Sequence, residues 1–293
     1  MVNIAALDTL LPKRHWSRSV LEGVTLYQSG MLRYMPGLLH GFTGRHGGVS
    51  DKPYGTLNLG DHVGDQPLNV AENRSRVATA FGFSTSSVVT AEQVHGSVVA
   101  LVNGPDGQIA GADALVTKST EVLLMLLFAD CVPVFVFDPI NRAIGLIHSG
   151  WKGTDENIVK KTVTFMSDQF GSDPRKCLAA IGPCIGFEHY EVGMDVAERF
   201  RNSAGGLDSG AAQVVMPFNE LRGTYLVNLR HVVFQQLISS GYKIESVAVS
   251  DQCTYSNSKD FFSHRRDGGQ GKHTGRMAGI MGLLPRTRSR GIS

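Results

Sequence analysis

With 293 residues, 42% of them hydrophobic and 18% charged, the chain has ample material for a buried core and none of the charge density of a disordered polymer. A net charge of +2 is too small for a face that binds nucleic acid or an anionic membrane, so neither is expected as a partner. The four cysteines, Cys131, Cys177, Cys184 and Cys253, are scattered, with no Cys-x-x-Cys and no dense disulfide framework, which suits a reducing, cytoplasmic compartment. Met1 to Leu10 lacks a basic n-region and cleavage site, so no export signal is expected. The longest apolar stretch, Val122 to Phe137, is interrupted by Asp130 and Pro133 and is too short to span a bilayer.

Along the chain, a helix is predicted over Pro67 to Phe81, with Val70, Val77 and Phe81 on one face and Asp65 as its cap. Strands follow at Ser87 to Thr90, Ser97 to Val102, Ala114 to Thr117, Val122 to Phe128, Val132 to Phe137 and Ala143 to His148. A second helix is predicted over Thr154 to Phe170, where Ile158, Val159, Thr162, Met166 and Phe170 recur at helical spacing. After a strand at Cys177 to Ile181 comes a third helix from about Val227 to Ser240, closed by Gly241, and a strand at Ile244 to Ser250. Strands outnumber helices, and no linker or repeat divides them. The expected fold is α+β (mixed α/β), a single domain over residues 1–293 with mixed β-sheets covered by helices. Its core is placed at about 39–282, and the basic tail at 286–293 is expected to be disordered.

The strongest chemical signal lies in the predicted hairpin around Asp138-Pro139-Ile140-Asn141-Arg142. Cys131 lies nine positions before Ile140 and His148 eight after it, so both reach the open end of the hairpin. A lone Cys or His is ordinarily a packed core group. Here each closes an apolar strand just before a loop, the usual setting of a site. A thiolate and an imidazole there can share a metal, or one can activate the other. A third ligand comes from His95, in Glu92-Gln93-Val94-His95-Gly96, or from its rival His62, and spacing does not decide between them. Cys184, in a Gly-Pro turn, is read as structural. Gly268 to Lys272 lacks the spacing of a phosphate-binding P-loop.

Several blocks, in order, resemble the laccase-domain family of the YlmD and YfiH type. They are Asn58-Leu59-Gly60, Glu92 to Gly96, Asp113 to Thr117, Ala129-Asp130-Cys131, His148 to Gly153, Ile181-Gly182-Pro183, Cys253-Thr254-Tyr255 and Phe261-Phe262-Ser263 with Arg265-Arg266-Asp267. The resemblance runs from about Leu39 to Gly282. It implies a zinc site made by His95, Cys131 and His148. It also implies phosphorolysis of purine nucleosides, including S-methyl-5′-thioadenosine, and adenosine deamination, beside an older polyphenol oxidase label. Ser149, Lys152 and His264 depart from the commoner Ala, Arg and Tyr, and the run after Asp267 is longer than usual.

Three protein ligands on zinc leave a fourth position for water, whose pKa then falls to about 7. Asp130, Glu92 and Asp113 are the candidate proton carriers. Phosphorolysis also needs a phosphate site, for which Arg45 in Gly44-Arg45-His46-Gly47-Gly48 comes first and Lys152 second. Arg266, Arg74, Arg265 and Arg276 are further candidates, although a solvated ion pair is the default for each. Trp151 either stacks on a purine or packs the hairpin.

Two enzyme alternatives remain open. Two His and one Cys, with one of nine methionines as axial ligand, is also a copper set, but none of the ten histidines forms the His-x-His pairs of a multicopper oxidase. Cu²⁺ is therefore kept as a second candidate ion. Alternatively, Cys131 and His148 form a metal-free thiol hydrolase or deamidase, in which His95 is dispensable. A non-catalytic binding protein, with metal holding its loops, is the third alternative.

Overall fold

The segment 122–149 reads as nearly continuous apolar sequence because its strands are covered on both faces. The computed structural model describes residues 11, 15–204, 214–268 and 273–285. In chain order its elements are β1 (Trp16–Leu21), β2 (Val24–Ser29), β3 (Leu38–Thr43), α1 (Pro67–Ala80), β4 (Val88–Ala91), β5 (Val99–Leu101), β6 (Gln108–Ile109) and β7 (Ala114–Thr117). They continue with β8 (Leu123–Phe128), β9 (Val132–Asp138), β10 (Ala143–Ser149), α2 (Trp151–Asp155), α3 (Ile158–Phe170), β11 (Leu178–Ile181), β12 (Glu191–Val192) and α4 (Met194–Ala204). The last are β13 (Val215–Asn219), β14 (Thr224–Val227), α5 (Leu229–Ser239), β15 (Val247–Val249) and β16 (Met277–Leu283). Two four-residue helical turns, Gly30–Arg33 and His264–Asp267, stand beside them.

Two mixed sheets make the core, ordered β1-β2-β3-β16-β8-β4-β6 and β15-β11-β9-β10-β7-β5, and a small sheet β12-β14-β13 flanks them. Leu124, Leu126 and Phe128 of β8 pack between the sheets with Phe135 and Phe137 of β9 and Ile144 and Leu146 of β10. The alternate residues Leu123, Met125 and Leu127 face outward under Val77 and Ala78 of α1. On the opposite side Val134, Val136 and Ile147 lie under Ile158, Val159 and Met166 of α3 and Val233 and Leu237 of α5. The layers run helix, sheet, sheet, helix, which is the expected mixed α/β fold with helices over mixed sheets. Among the described residues no helix is long and apolar enough to cross a membrane.

The β9–β10 hairpin forms in the expected register, with Ser149 opposite Val132 and Ala143 opposite Asp138. The Asp138 carboxylate closes its turn by accepting from the backbone N–H groups of Ile140 and Asn141 at 2.9 and 3.0 Å. Three local expectations need correction. The helix placed over Thr154 to Phe170 is two, α2 and α3, because Asn157 takes a left-handed conformation (φ 59°) between them. Asp65 does not cap α1; its carboxylate instead accepts from Ser50 Oγ (2.6 Å) and Asn58 Nδ2 (2.9 Å). The strand at 244–250 is reduced to β15, after a 3₁₀ turn at Ile244–Ser246. The basic tail and the lengthened run after Gly268 lie outside the described residues.

His40 on β3 offers a test of this core. It is 1% exposed, packs against Trp16 and Phe135, and its Nε2 accepts from Ser29 N–H at 3.0 Å. Burial, with the Arg33 charge adding, pushes it from 6.5 down to about 3. The fold therefore holds a neutral ring that the unfolded chain protonates below about 6.5. Its contribution is complete above that pH and declines by about 1.4 kcal/mol per unit as pH falls toward 3. In denaturant titrations between pH 7 and 4, wild type should lose stability more steeply than His40→Gln, by that amount. Equal slopes would remove His40 from the acid response.

Candidate metal centre

Strand ends converge at one end of the sandwich. The chain leaves β4 of the first sheet and enters β5 of the second through the loop carrying His95. It crosses again from β8 to β9 through Ala129-Asp130-Cys131, and β10 delivers His148 to the same end. The ligand atoms of His95, Cys131 and His148 lie within 4.8 Å of one another, so together they can hold a metal ion. The two imidazoles meet edge to face, centroids 4.9 Å apart. His62, the rival third ligand, lies outside this group.

Asp113, at the start of β7, is the hub of the centre. Its Oδ1 accepts from His148 Nδ1 at 2.8 Å and from the His95 backbone N–H at 3.0 Å. Its Oδ2 accepts from the N–H groups of Gly96 (2.7 Å) and Val94 (3.2 Å). An ionised carboxylate only accepts, so His148 carries its proton on Nδ1 and presents Nε2 toward Cys131 and His95. Asp113 is fully buried, which opposes its ionisation, but the His148 ring and the amides of Gly96 and Val94 hold it below the usual carboxylate range. Gln93 fixes the same loop from the other side, its amide exchanging two hydrogen bonds with the Leu127 backbone on β8.

The backbone departs from ordinary geometry at His95 and immediately before Cys131. His95 (φ 59°) and Asp130 (φ 86°) occupy the left-handed region, a cost that surrounding contacts must offset. At Asp130 those contacts are Thr254 Oγ1 (2.6 Å), Ser263 Oγ (3.0 Å) and Arg265 N–H (2.7 Å), all donating to its buried carboxylate. Gly150 forms the floor: a Cβ there would stand 3.1 Å from His95 Cδ2, 3.4 Å from Cys131 Sγ and 3.7 Å from His148 Cε1. Ser149, where alanine is commoner in the family it resembles, bonds Thr154 Oγ1 at 2.7 Å and so ties the end of β10 to α2.

Burial works against ionisation of both Cys131 and His148, yet each supplies the charge that stabilises the other. The thiol is shifted down by His148, then His95, and the imidazole up by Cys131 and Asp113. The pairing thus favours a deprotonated sulfur, the form a metal requires.

A cavity of about 800 Å³ opens over the three ligands. Ile185, Val192, Val196 and Leu229 give it an apolar side, with Trp151 and Tyr190, while Asp61, Glu92, Asp130, Glu191, Arg265 and Arg276 are its charged residues. Glu92 is exposed, and its carboxylate makes no hydrogen bond or ion pair among the described residues. Three residues expected at phosphate do not line this wall. Arg45 donates to the carbonyls of Gly55 and Ser258 and covers the Phe262 ring, and Arg266 donates to those of Thr254, Tyr255 and Phe261 and to Asp267. Both guanidiniums tie loops together. Lys152 lies over the Trp151 ring on the exposed side of α2. Arg74 pairs with Asp61 at 3.2 Å. Sequence reasoning named Arg276 only in passing and gave Tyr190 no role, since neither sits beside a ligand in the chain.

The family described as multi-copper polyphenol oxidoreductase laccase matches residues 39–284. The purine nucleoside phosphorylase YlmD of Bacillus subtilis is 36% identical over 255 residues, covering 84% of this chain and 88% of that protein. A purine nucleoside phosphorylase of Deinococcus radiodurans is 41% identical over 244 residues, 83% of this chain and 88% of its own. The crystal structure of the Bacillus licheniformis hypothetical protein YfiH superposes with a TM-score of 0.80 at 33% identity, covering 89% of this chain and 97% of that one.

Asp113→Asn keeps the size of the hub but replaces an acceptor oxygen with a donor facing donors. Metal affinity, read by chelator competition, should fall about 10–100-fold, the usual cost of losing an outer-shell partner. Unchanged affinity in a folded variant would deny Asp113 its role.

Proposed function

The chain belongs to the multi-copper polyphenol oxidoreductase laccase family, and from that membership and the geometry of its centre we propose that it is a zinc-dependent purine nucleoside phosphorylase. The observation that carries the reading is the His95, Cys131 and His148 cluster on the floor of a cavity sized for a small molecule. Relatives named purine nucleoside phosphorylase, at 33–41% identity, support the reaction class. Adenosine, inosine and S-methyl-5′-thioadenosine are the proposed substrates, with adenosine deamination as a second activity of the same centre.

The donor set fits zinc: one thiolate and two neutral imidazole nitrogens, oriented from behind by Asp113, with the cavity on the remaining side. Among the described residues this is the one cluster of its kind, and no methionine lines its cavity. Both observations favour a single zinc over a multicopper oxidase centre, leaving copper as an adventitious occupant. When bound, the ion supplies Lewis acidity to substrate oxygen or water.

In the proposed phosphorolysis an oxygen of hydrogenphosphate bonds to C1′ of the ribose while the bond from C1′ to the purine breaks. The electron pair leaves with the purine, which takes up the proton that hydrogenphosphate gives up. The products are the free base and ribose 1-phosphate, or the methylthio analogue. Trp151, Tyr190 and the apolar side of the cavity supply the flat, dry surface that a purine needs. Of the carboxylates expected to move protons, Asp113 and Asp130 have both oxygens engaged in holding loops. Glu92 is the one left with an unengaged carboxylate on the wall, so it is assigned proton transfer, including that of deamination. We place the protein in the cytoplasm, where its four free thiols persist.

The test is product analysis with metal-quantified protein and adenosine. Wild type should release adenine and ribose 1-phosphate only when phosphate is present, and inosine without it. Cys131→Ala and His95→Ala should lose the ion and at least about a thousandfold in turnover, the several kcal/mol a catalytic metal contributes. A metal-free His95→Ala protein that keeps full turnover would overturn the zinc reading in favour of Cys131 as nucleophile with His148 as base. Zinc-loaded wild type that yields no product from any of the three nucleosides would overturn the nucleoside reading itself.

A further inference from the structure

The Asn58-Leu59-Gly60 block has no part in the metal centre, yet it is built into the core: Asn58 and Leu59 are fully buried. Its partner is Arg276. Asn58 Oδ1 accepts from the Arg276 backbone N–H at 2.9 Å, and Leu59 N–H donates to the Arg276 carbonyl at 3.0 Å. Asn58 is itself locked, accepting from Gly60 N–H and donating to the Gly60 carbonyl and the Asp65 carboxylate. The Arg276 stem lies flat on Gly60, where a Cβ would come within 2.7 Å of its Cγ. The block is a cradle that sets one guanidinium.

That guanidinium stands between two cavities. Arg276, His62 and His264 line the main cavity and also a neighbouring one of about 350 Å³, whose wall continues with His273 and Thr274. No acidic side chain lines the smaller cavity among the described residues. Arg276 Nη1 is held by the Thr274 and Gly275 carbonyls at 3.0 and 3.2 Å, while Nε and Nη2 have no hydrogen-bond partner among the described residues. His273 Nδ1 is bound to the Val63 carbonyl at 3.1 Å, which leaves its Nε2 free, and Thr274 Oγ1 is buried without a partner. A half-buried guanidinium with a fixed orientation and three spare N–H groups on Nε and Nη2 is suited to an oxyanion; Asp61, which lines the larger cavity beside His62 Nδ1 at 3.5 Å, has its charge met by Arg74 at 3.2 Å. Arg265 is less suited: it is exposed, donates to the Glu191 carbonyl and covers the Tyr190 ring.

We propose that Arg276, with His62 and His264, forms the phosphate subsite of this enzyme, and that Asn58 is the residue that positions it. The assignment rests on the phosphorolysis reading above and says where its second substrate binds. Nucleoside occupies the larger cavity and inorganic phosphate sits at the shared wall, entering from the smaller one.

The test compares wild type, Arg276→Gln, Arg276→Lys and Arg45→Gln, all metal-loaded. At saturating adenosine, Arg276→Gln should raise the KM for phosphate by about tenfold or more, the loss expected for a charge-assisted pair. Its KM for adenosine and its metal content should stay within about twofold. Arg276→Lys keeps the charge without the fork and should show an intermediate rise, which also covers a Gln variant that fails to fold. Arg45→Gln should leave the KM for phosphate unchanged. An unaltered KM in the Arg276 variants, or an equal rise in Arg45→Gln, would overturn the assignment. A ³¹P NMR titration with inorganic phosphate alone separates this proposal from the reaction it rests on. Saturable broadening in wild type that is lost in Arg276→Gln supports the subsite even without nucleoside cleavage, and equal broadening in both overturns it.

Discussion

One buried carboxylate organises the functional end of this molecule. Asp113 has no water to solvate it, so its charge must be met by donors from the protein, and it collects four: the His148 ring and three consecutive amides around His95. Those donors belong to segments that arrive from different sheets. Satisfying the carboxylate therefore brings the two imidazoles together, and the left-handed backbone at His95 is what allows three successive N–H groups to point at one side chain. The ligand geometry is set by the demand to neutralise a buried charge, before any metal binds.

Asp130 repeats this logic beside the third ligand. It too is buried, takes a positive φ, and gathers donors from Thr254, Ser263 and Arg265, loops that follow β15. Cys131 is held between Asp130 and the first residue of β9, with little freedom to leave the cluster. The two buried aspartates thus act through other groups, whereas the exposed Glu92 carboxylate is left without a partner among the described residues. Carboxylates of one chemical type are set apart by their solvation and hydrogen bonding alone.

The cavity has a comparable division of charge. Cations that look equivalent in sequence differ in where the fold puts them. Arg45 and Arg266 donate to backbone carbonyls that knit loops 44–57 and 254–267 together and do not line the cavity, whereas Arg276 is braced along its stem and backbone on the cavity wall, with Nε and Nη2 unpartnered among the described residues. Glycines around an arginine permit either outcome, so loop composition does not tell the two apart.

Local pattern was enough to place the central strands, the β9–β10 hairpin and the helices over the second sheet, since apolar runs bounded by turn residues depend on neighbours in the chain. The same hairpin put Cys131 and His148 at one open end, and the order of the blocks pointed to the family. Pattern failed where tertiary packing overrode it. β1, β2, β3 and β16 are edge-exposed, polar or glycine-broken sequences that become strands by pairing across the chain, β16 with β3 and β8. The left-handed turn at Asn157 that splits α2 from α3 leaves no trace in periodicity. The choice of His95 over His62 depended on a loop drawn in by Asp113, which sits 18 residues further along the chain. Likewise Arg276 and Asn58 meet across 218 positions. The sequence by itself determined which residue types and strands were available, because those follow from short-range chemistry. Which His joins the Cys, which carboxylate is free and which arginine faces the cavity were decided only in the tertiary structure, where buried charges and donors separated along the chain must find each other.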